Sequence, residues 1–152
     1  MLDIFSVEVD VTEVSVGQNL ASTSIVYFYP KDSTSGCTTE ACNLRDNYAA
    51  LRRAGYEVVG VSVDSAASHQ KFIAKHELPF PLIADTEKTL VETFGVWGEK
   101  SMYGRKYMGI FRTTFIINEE GIVERIFLPK EIKVKEHAEQ ILKDGFSPAP
   151  AL

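Results

Sequence analysis

The sequence lacks the features that would direct a protein to a membrane or to nucleic acid. No stretch approaches the roughly 18 consecutive apolar residues that a membrane-spanning helix needs. The N-terminal sequence MLDIFSVEVDVTE has neither the basic segment nor the continuous apolar segment of a secretory signal peptide. Basic residues are not in excess, since the net charge is −5, and a nucleic-acid interface needs a clustered basic surface. These absences predict a cytoplasmic protein that binds neither membranes nor nucleic acid.

Cysteine and histidine are also scarce, with two cysteines and three histidines in the chain. A tetrahedral zinc site needs about four nitrogen or sulfur ligands, and the histidines lie far from the cysteines along the sequence. We therefore expect no metal site. In a reducing compartment, two cysteines are more often catalytic than structural.

The length and composition are those of one ordinary globular domain. The chain has 152 residues, of which 45% are hydrophobic and 24% charged, and this size can bury a full core. We predict a single domain over residues 1–152. Loosely alternating apolar residues predict short strands or a hairpin over 1–23, and residues 145–152 are expected to form a frayed tail.

Hydrophobic periodicity predicts strands that alternate with helices. Residues 95–108 show no clean period and are expected to form a loop. Strands are predicted over 24–29, 56–63, 81–85, 110–118 and 122–128, and helices over 37–54, 66–76, 87–94 and 131–143. This order predicts an α/β protein with a thioredoxin-like architecture, in which helices cover both faces of a central mixed sheet.

Cys37 lies where the first long helix is expected to begin. The N terminus of a helix carries about half a positive elementary charge and free N–H groups, and both favour a thiolate over a thiol. The position is therefore suited to a reactive cysteine. A buried, inert cysteine is equally compatible with the position alone.

The residues around Cys37 resemble the active site of peroxiredoxins. The stretch YPKDSTSGCTTEACNLRD contains the signature P-x-x-x-T-x-x-C, matched by Pro30, Thr34 and Cys37. The subfamily it resembles is the bacterioferritin comigratory protein, or peroxiredoxin Q, group of the atypical two-cysteine type. The likeness extends through GVSVDS, HQKF, FGVWGEKSMYGRKYMGI and RTTFIIN, and so covers roughly residues 24–143. It implies a thioredoxin-like thiol peroxidase of antioxidant defence that reduces hydrogen peroxide and organic hydroperoxides without a cofactor.

The resemblance implies roles for five residues of a peroxidatic site. Cys37 would be the nucleophile, Thr34 would present its hydroxyl to the peroxide, and Pro30 would shield the pocket from water. Arg112 would support the thiolate and polarise the peroxide bond, and Glu40 would orient Arg112. Each of three supporting residues has a structural alternative: Thr34 could be a helix N-cap, Glu40 a first-turn glutamate, and Arg112 a strand residue that faces solvent.

In this subfamily, a cysteine at the position of Cys42 often acts as the resolving cysteine. The resemblance therefore implies an intramolecular disulfide between Cys37 and Cys42, which thioredoxin or a glutaredoxin-like donor would reduce. Residues five apart in an α-helix have Cα atoms about 8–9 Å from each other, whereas a disulfide needs Cα atoms within about 7 Å. Cys42 can therefore resolve Cys37 only if the first turns of the helix unwind. The alternative is that an outside thiol resolves Cys37 and Cys42 is a spectator.

Some features depart from the family pattern or are given a structural interpretation. Ser35 stands where the family usually has proline. The usual G-x-x-A-P-x-F opening is absent, so the arrangement of the N-terminal strands and their part in dimerisation are left open. A monomer or weak homodimer is expected. The remaining candidates are interpreted as packing or surface residues, or as helix caps in the case of the two aspartates: His69, His76, His137, Trp97, Tyr103, Asp64 and Asp85.

Two other functions fit a thioredoxin-like fold. A disulfide oxidoreductase normally uses C-x-x-C, whereas this chain has four residues between Cys37 and Cys42. In a non-enzymatic binding module, Cys37 would have no catalytic role. The joint presence of Pro30, Thr34 and Arg112 argues against such a module.

Overall fold

The computed structural model describes residues 22–144 as five helices and seven strands. In chain order these are β1 Thr23–Phe28, α1 Ser35–Asp46, α2 Tyr48–Arg53, β2 Tyr56–Ser62, α3 Ala66–His76, β3 Leu82–Ala84, α4 Thr89–Thr93, β4 Trp97–Met102, β5 Arg105–Ile110, β6 Thr113–Ile117, β7 Val123–Phe127 and α5 His137–Asp144. None of the helices in this part of the chain is long and apolar enough to cross a membrane.

A five-stranded sheet in the order β3-β2-β1-β6-β7 forms the centre of the fold. β1 and β2 are parallel, as are β2 and β3, whereas β6 runs antiparallel to both β1 and β7. The central strand β1 pairs on both sides, with Ile25 opposite Val58 and Ile116. Such a strand is buried on both faces, which explains the apolar run IVYF over residues 25–28. The predicted mixed sheet is confirmed.

Side chains of β1 alternate between two cores, one on each face of the sheet. Ile25 and Tyr27 belong to a core that contains residues of α1, α2, α3 and α5. Val26 and Phe28 belong to a second core that contains residues of α4. The predicted covering of both faces by helices is therefore confirmed.

The predicted loop over residues 95–108 is wrong, because β4 and β5 form an antiparallel hairpin there. Tyr103 and Gly104 make its turn with φ of +52° and +79°, and positive φ at both central residues is the property of a type I′ hairpin turn. Most side chains of the hairpin are exposed or half-buried. Without a buried face, the two strands show no apolar alternation from which they could be predicted.

Several other predicted boundaries need correction. The predicted helix 37–54 begins at Ser35 and is interrupted at Asn47, whose side chain donates to the Asn43 carbonyl at 2.9 Å. The predicted strand 110–118 is interrupted at residues 111–112, and helix 87–94 is reduced to α4. The closing helix begins at His137 rather than at 131, because Glu131 ends a turn in which its carboxylate binds the Leu128 N–H at 3.0 Å. The strands expected over 24–29, 56–63 and 81–85 and the helix over 66–76 are confirmed.

The predicted strands within residues 1–23 and the tail over 145–152 fall on residues 1–21 and 145–152, which lie outside the described residues. The organisation of the whole chain as one domain therefore stays a prediction.

Candidate active site

Cys37 lies in the first turn of α1, the helix that follows the central strand in the chain. The loop between β1 and α1 turns sharply at Ser33, which has a φ of +65°. The helix starts at Ser35, so that Cys37 is its third residue and is 2% exposed. The expected position of the thiol at a helix N terminus is thereby confirmed.

Arg112 brings a guanidinium group to this thiol from the short break between β5 and β6. Its Nη2 lies 3.5 Å from the Cys37 Sγ, and its Nη1 donates to Glu40 Oε1 at 2.5 Å. Gly36 allows this approach, because a Cβ there would lie 3.3 Å from Arg112 Nη2. The structural alternatives for two residues are wrong: Arg112 does not face solvent, and Glu40 lies beyond the first turn and is fully buried.

Burial disfavours the charged form of both partners in the ion pair between Arg112 and Glu40. Burial raises the pKa of Glu40 to about 7, although the charge and hydrogen bond of Arg112 act in the opposite direction. Burial alone would lower the pKa of Arg112, but the charges of Glu40 and Cys37 raise it. Glu40 Oε2 is buried and finds no hydrogen-bond partner within residues 22–144. Its carboxyl group therefore takes up a proton more readily than an exposed glutamate does.

His137 packs beside this unpaired oxygen, with its Nε2 4.0 Å from Glu40 Oε2. The Gln140 amide nitrogen donates to the Glu131 carbonyl, so that Gln140 Oε1 must accept from His137 Nδ1, at 3.0 Å. Burial lowers the pKa of His137 to about 4, so the imidazole is neutral at pH 7. With the proton on Nδ1, Nε2 accepts from the Thr114 hydroxyl at 2.9 Å. Its interpretation as a packing residue is confirmed, but its place beside Glu40 was not predicted.

The pKa shifts of Glu40 and His137 predict an unusual pH dependence for the His137→Asn variant. Glu40 has a raised pKa, so its contribution to stability is present below about 4.5 and lost as the pH rises to about 7. His137 has a lowered pKa, so its contribution is present above about 6.5 and lost as the pH falls towards 4. In the native protein the two effects oppose each other between these values.

Without His137, the loss of stability that Glu40 causes as the pH rises should no longer be offset. On changing from pH 5 to pH 7, the free energy of unfolding of His137→Asn should fall relative to that of the native protein by about 2 kcal/mol. Urea unfolding at the two pH values measures this difference, and loss of the Thr114 hydrogen bond cancels because it acts at both. An identical pH dependence in the two proteins would contradict the assignment.

Thr34 and Pro30 flank the loop that leads to Cys37. Thr34 is the N-cap residue of α1 by its position, but its hydroxyl donates to the Lys31 carbonyl at 2.8 Å and makes no capping hydrogen bond. The alternative that its side chain caps the helix is therefore wrong. Pro30 is half-buried and lies two residues after the end of β1. Contact of Thr34 with peroxide and shielding by Pro30 stay predictions.

Cys42 lies in the same helix as Cys37, and both thiols are free. The intact helix keeps them too far apart for a disulfide, as expected. Cys42 is half-buried, and its Sγ lies 3.9 Å from His76 Nδ1 of α3. Its role as the resolving cysteine stays a prediction.

Lys100 of β4 is a site residue that the sequence did not indicate. Its Nζ donates to the Ile110 carbonyl at 2.7 Å and lies over the Phe111 ring. Burial and the charge of Arg112 lower its pKa, whereas the charge of Cys37 raises it. Lys100 therefore adds a second positive charge within electrostatic reach of the thiol. Because it lies in the hairpin that was predicted as a loop, no pattern pointed to it.

Comparison with known proteins identifies the group to which this geometry belongs. Residues 3–126 match the family model described as AhpC/TSA. The chain belongs to the AhpC/TSA family. Peroxiredoxin Bcp of Bacillus subtilis is 47% identical to it over 123 residues, which cover 79% of this chain and 77% of that protein. Peroxiredoxin Bcp of Escherichia coli is 43% identical over 118 residues, which cover 78% and 74%.

Solved structures of AhpC/TSA relatives agree with the fold. Bacterioferritin comigratory protein of Xanthomonas campestris aligns with a TM-score of 0.84 at 34% identity, covering 94% of this chain and 96% of that chain. A structure of peroxiredoxin Q from the same organism aligns with a TM-score of 0.74 at 41% identity, covering 81% and 77%. The predicted resemblance and thioredoxin-like fold are confirmed, and the chain is a peroxidase of the thiol type.

A buried polar network supports the active-site loop of this AhpC/TSA protein. Asp32 accepts hydrogen bonds from Tyr29 at 2.6 Å and Ser68 at 2.7 Å, and it contacts His69 Nδ1 at 2.7 Å. His69 Nε2 faces the Ile83 carbonyl, which can only accept, so both ring nitrogens carry protons if Asp32 is ionised. Burial would raise the pKa of Asp32, but the hydrogen bonds of His69, Tyr29 and Ser68 outweigh it and lower the pKa. His69 and Asp32 therefore form an ion pair.

Asp64 completes this network and creates the arrangement most like a metal site within residues 22–144. One ligand atom each from Asp32, Asp64 and His69 lies within 4.8 Å of the others. Asp64 Oδ2 already accepts from the Asp32 N–H at 2.8 Å and the Ser62 hydroxyl at 2.7 Å. A metal ion would have to replace these hydrogen bonds and the ion pair. We therefore assign the network to holding the loop between β1 and α1 against β2 and α3.

The remaining sequence interpretations have mixed outcomes. Asp85 binds the backbone N–H groups at the start of α4, as expected of a cap. The interpretation of Asp64 as a cap is wrong, because Ser65 caps α3. The interpretation of Tyr103 and Trp97 as surface or packing residues is confirmed, because Tyr103 is 96% exposed at the hairpin turn and Trp97 is half-buried against the second core.

Proposed function

We propose that this chain reduces hydroperoxides by direct attack of the Cys37 thiolate on a peroxide oxygen. The observation that carries the proposal is the Arg112 guanidinium, 3.5 Å from the Cys37 sulfur and held by the buried Glu40. A guanidinium in this position stabilises the thiolate and the negative charge that develops on the departing oxygen. Thr34 and Pro30 belong to the same pocket, where they contact the peroxide and limit access of water.

The reaction consists of two displacements, the first at a peroxide oxygen and the second at the sulfur of Cys37. The Cys37 thiolate attacks one peroxide oxygen, the O–O bond breaks, and the alkoxide or hydroxide leaves and takes up a proton. Cys37 is then a sulfenic acid. The Cys42 thiolate attacks its sulfur, hydroxide leaves as water, and a Cys37–Cys42 disulfide results. Local unwinding of α1 precedes this second step.

A dithiol reductant returns the enzyme to its starting state. We expect thioredoxin or a glutaredoxin-like protein in this role, acting on a single-domain monomer or weak homodimer in the cytoplasm. The net charge of −5 gives no support for nucleic acid as a partner. No prosthetic group or metal takes part in the proposed cycle.

Consumption of hydrogen peroxide by the purified protein tests the proposal. Activity is expected with either dithiothreitol or thioredoxin and thioredoxin reductase. The Xanthomonas campestris relative is described with alkyl peroxide reduction activity, so that cumene hydroperoxide is a useful second substrate. Stopped-flow comparison of the two peroxides gives the preference, and no turnover of either would reject the proposal.

Mass spectrometry after one equivalent of hydrogen peroxide tests the resolving step. The reduced native protein should lose two hydrogens and yield a peptide in which Cys37 and Cys42 are joined. The Cys42→Ser variant should instead gain one oxygen at Cys37, because a sulfenic acid can be formed but not resolved within the chain. A stable sulfenic acid in the native protein would remove Cys42 from the mechanism.

A further inference from the structure

The thiol of Cys42 has an imidazole as its neighbour across the contact between α1 and α3. His76 Nδ1 lies 3.9 Å from the Cys42 Sγ. The ring of Phe72 packs edge-on against the imidazole at 5.2 Å between centroids, and Arg45 of α1 donates to the His76 carbonyl at 2.8 Å. These contacts hold the imidazole of His76 beside the sulfur. We propose that His76 is the general base that removes the proton of Cys42 in the resolving step, an inference that rests on the proposed function.

Charged groups of both signs surround Cys42. Arg45 is electrostatically coupled to Cys42: its hydrogen bond to Asp46 raises its pKa, burial lowers it, and the charge of Cys42 raises it. The charged or titratable groups that face this region come from α1, from the end of α3 and from the segment before α5, and they are Arg45, Asp46, His76, Glu77 and Lys135. Arg45 and Lys135 are cations and cannot accept a proton, and of these groups His76 is the one whose side-chain nitrogen lies 3.9 Å from the sulfur. An imidazole is suited to accept a proton near neutral pH.

Side-chain hydrogen bonds join the turn of α1 that contains Cys42 to α5 and to the end of α3. The Asn43 side chain accepts from the Ala138 N–H at 2.7 Å and donates to Glu139 at 3.0 Å, which joins α1 to α5. Arg45 joins the same turn to the end of α3. The first turn of α1, by contrast, lacks a side-chain cap. Unwinding therefore begins at the first turn and carries Cys37 towards Cys42, while Cys42 stays beside His76.

This arrangement accounts for every proton in the resolving step. His76 Nδ1 takes the proton of the Cys42 thiol, and the thiolate attacks the sulfur of the Cys37 sulfenic acid. The S–O bond breaks and hydroxide leaves with the bonding pair, then takes the proton back from His76 as water. The sulfur of Cys42 is oxidised and that of Cys37 is reduced by the same electron pair. An open cleft of about 370 Å³ beside Cys42, lined in part by Thr38 and Lys135, gives the water a route to solvent.

The His76→Gln variant tests the inference, with Lys75→Gln as a control that removes an exposed charge from the same helix. Rapid quenching after one equivalent of hydrogen peroxide, followed by mass spectrometry, follows the sulfenic acid and the Cys37–Cys42 disulfide separately. In His76→Gln the sulfenic acid should form at the native rate, but the disulfide should form about 10–100-fold more slowly near pH 7. The deficit should close at alkaline pH, where hydroxide removes the proton without a base. Lys75→Gln should match the native protein in both steps.

The possible outcomes separate this inference from the proposed function. If the native protein forms no Cys37–Cys42 disulfide, both the proposed resolving step and the role of His76 are rejected. If the disulfide forms in the native protein and equally fast in His76→Gln, only the role of His76 is rejected. A deficit of the same size at every pH from about 6 to 9 would show that His76 is merely structural and would also overturn the inference.

Discussion

Replacement of Cys37 by serine is expected to abolish peroxide reduction, with a loss in kcat/KM of about 10³-fold or more. A serine hydroxyl is not ionised at neutral pH and cannot attack a peroxide as a thiolate does. The environment of Cys37 stabilises an anion, through the N terminus of α1 and the Arg112 guanidinium at 3.5 Å. Neither the helix N terminus nor the guanidinium can promote the reaction when residue 37 has no ionised sulfur. Peroxide consumption with thioredoxin or dithiothreitol measures the loss.

The Cys42→Ser variant is the matched control for Cys37→Ser. It replaces the same kind of side chain in the same helix, and it should retain the first reaction with peroxide at the native rate. Cys37 is buried among apolar residues, so thermal unfolding should confirm that the serine variant is folded. Full activity in a folded Cys37→Ser protein would contradict a peroxidatic role for Cys37. A disulfide oxidoreductase or a binding module would then need to be considered again.

The sequence predicts the central strands well because a strand that is buried on both faces needs apolar residues at consecutive positions. β1 and β2 are short apolar runs, and such runs are typical of strands covered by helices on both sides. The β4–β5 hairpin was missed for the opposite reason, since its side chains are mostly exposed and show no period. Strand pairing there comes from backbone hydrogen bonds and the turn at Tyr103, which leave little trace in hydrophobicity.

The candidate site was predicted in part because a family resemblance supplied long-range information. Cys37 and Glu40 are neighbours in one helix, but Arg112 follows Glu40 by 72 residues. Periodicity cannot bring such residues together. The Asp32–His69 pair and the position of His137 were missed because they depend on the sheet order and on how α3 and α5 pack, and no local pattern encodes either of them.

Replacement of Arg112 by glutamine is expected to lower the rate of the reaction with peroxide by about 10²–10³-fold, because the departing oxygen and the thiolate lose the same positive charge. Arg112→Lys should recover only part of this loss. A lysine ammonium is compact and cannot keep one nitrogen on Glu40 and another beside Cys37, as the guanidinium does through Nη1 and Nη2. Stopped-flow measurement of the first oxidation separates this step from resolution.

The Arg112→Gln substitution should also destabilise the protein in a pH-dependent manner, because Glu40 is fully buried and loses its ion-pair partner. Breaking a buried pair in this way costs about 3–5 kcal/mol. Without Arg112 the pKa of Glu40 rises further, so the deficit in the free energy of unfolding should be larger at pH 8 than at pH 5. Urea unfolding at both pH values measures it.

The double variant Arg112→Gln with Glu40→Gln distinguishes the catalytic effect of Arg112 from its structural effect. It removes both charges, so much of the lost stability at pH 8 should return, since replacement of a whole buried pair by neutral groups is far less costly than removal of one partner. Activity should not return, because within residues 22–144 the hydrogen bond to Cys37 Sγ comes from Arg112, and the variant lacks this cation. Recovery of the native rate in the double variant would mean that Arg112 serves only to neutralise Glu40, and the chemistry assigned to its Nη2 contact with Cys37 would have to be abandoned.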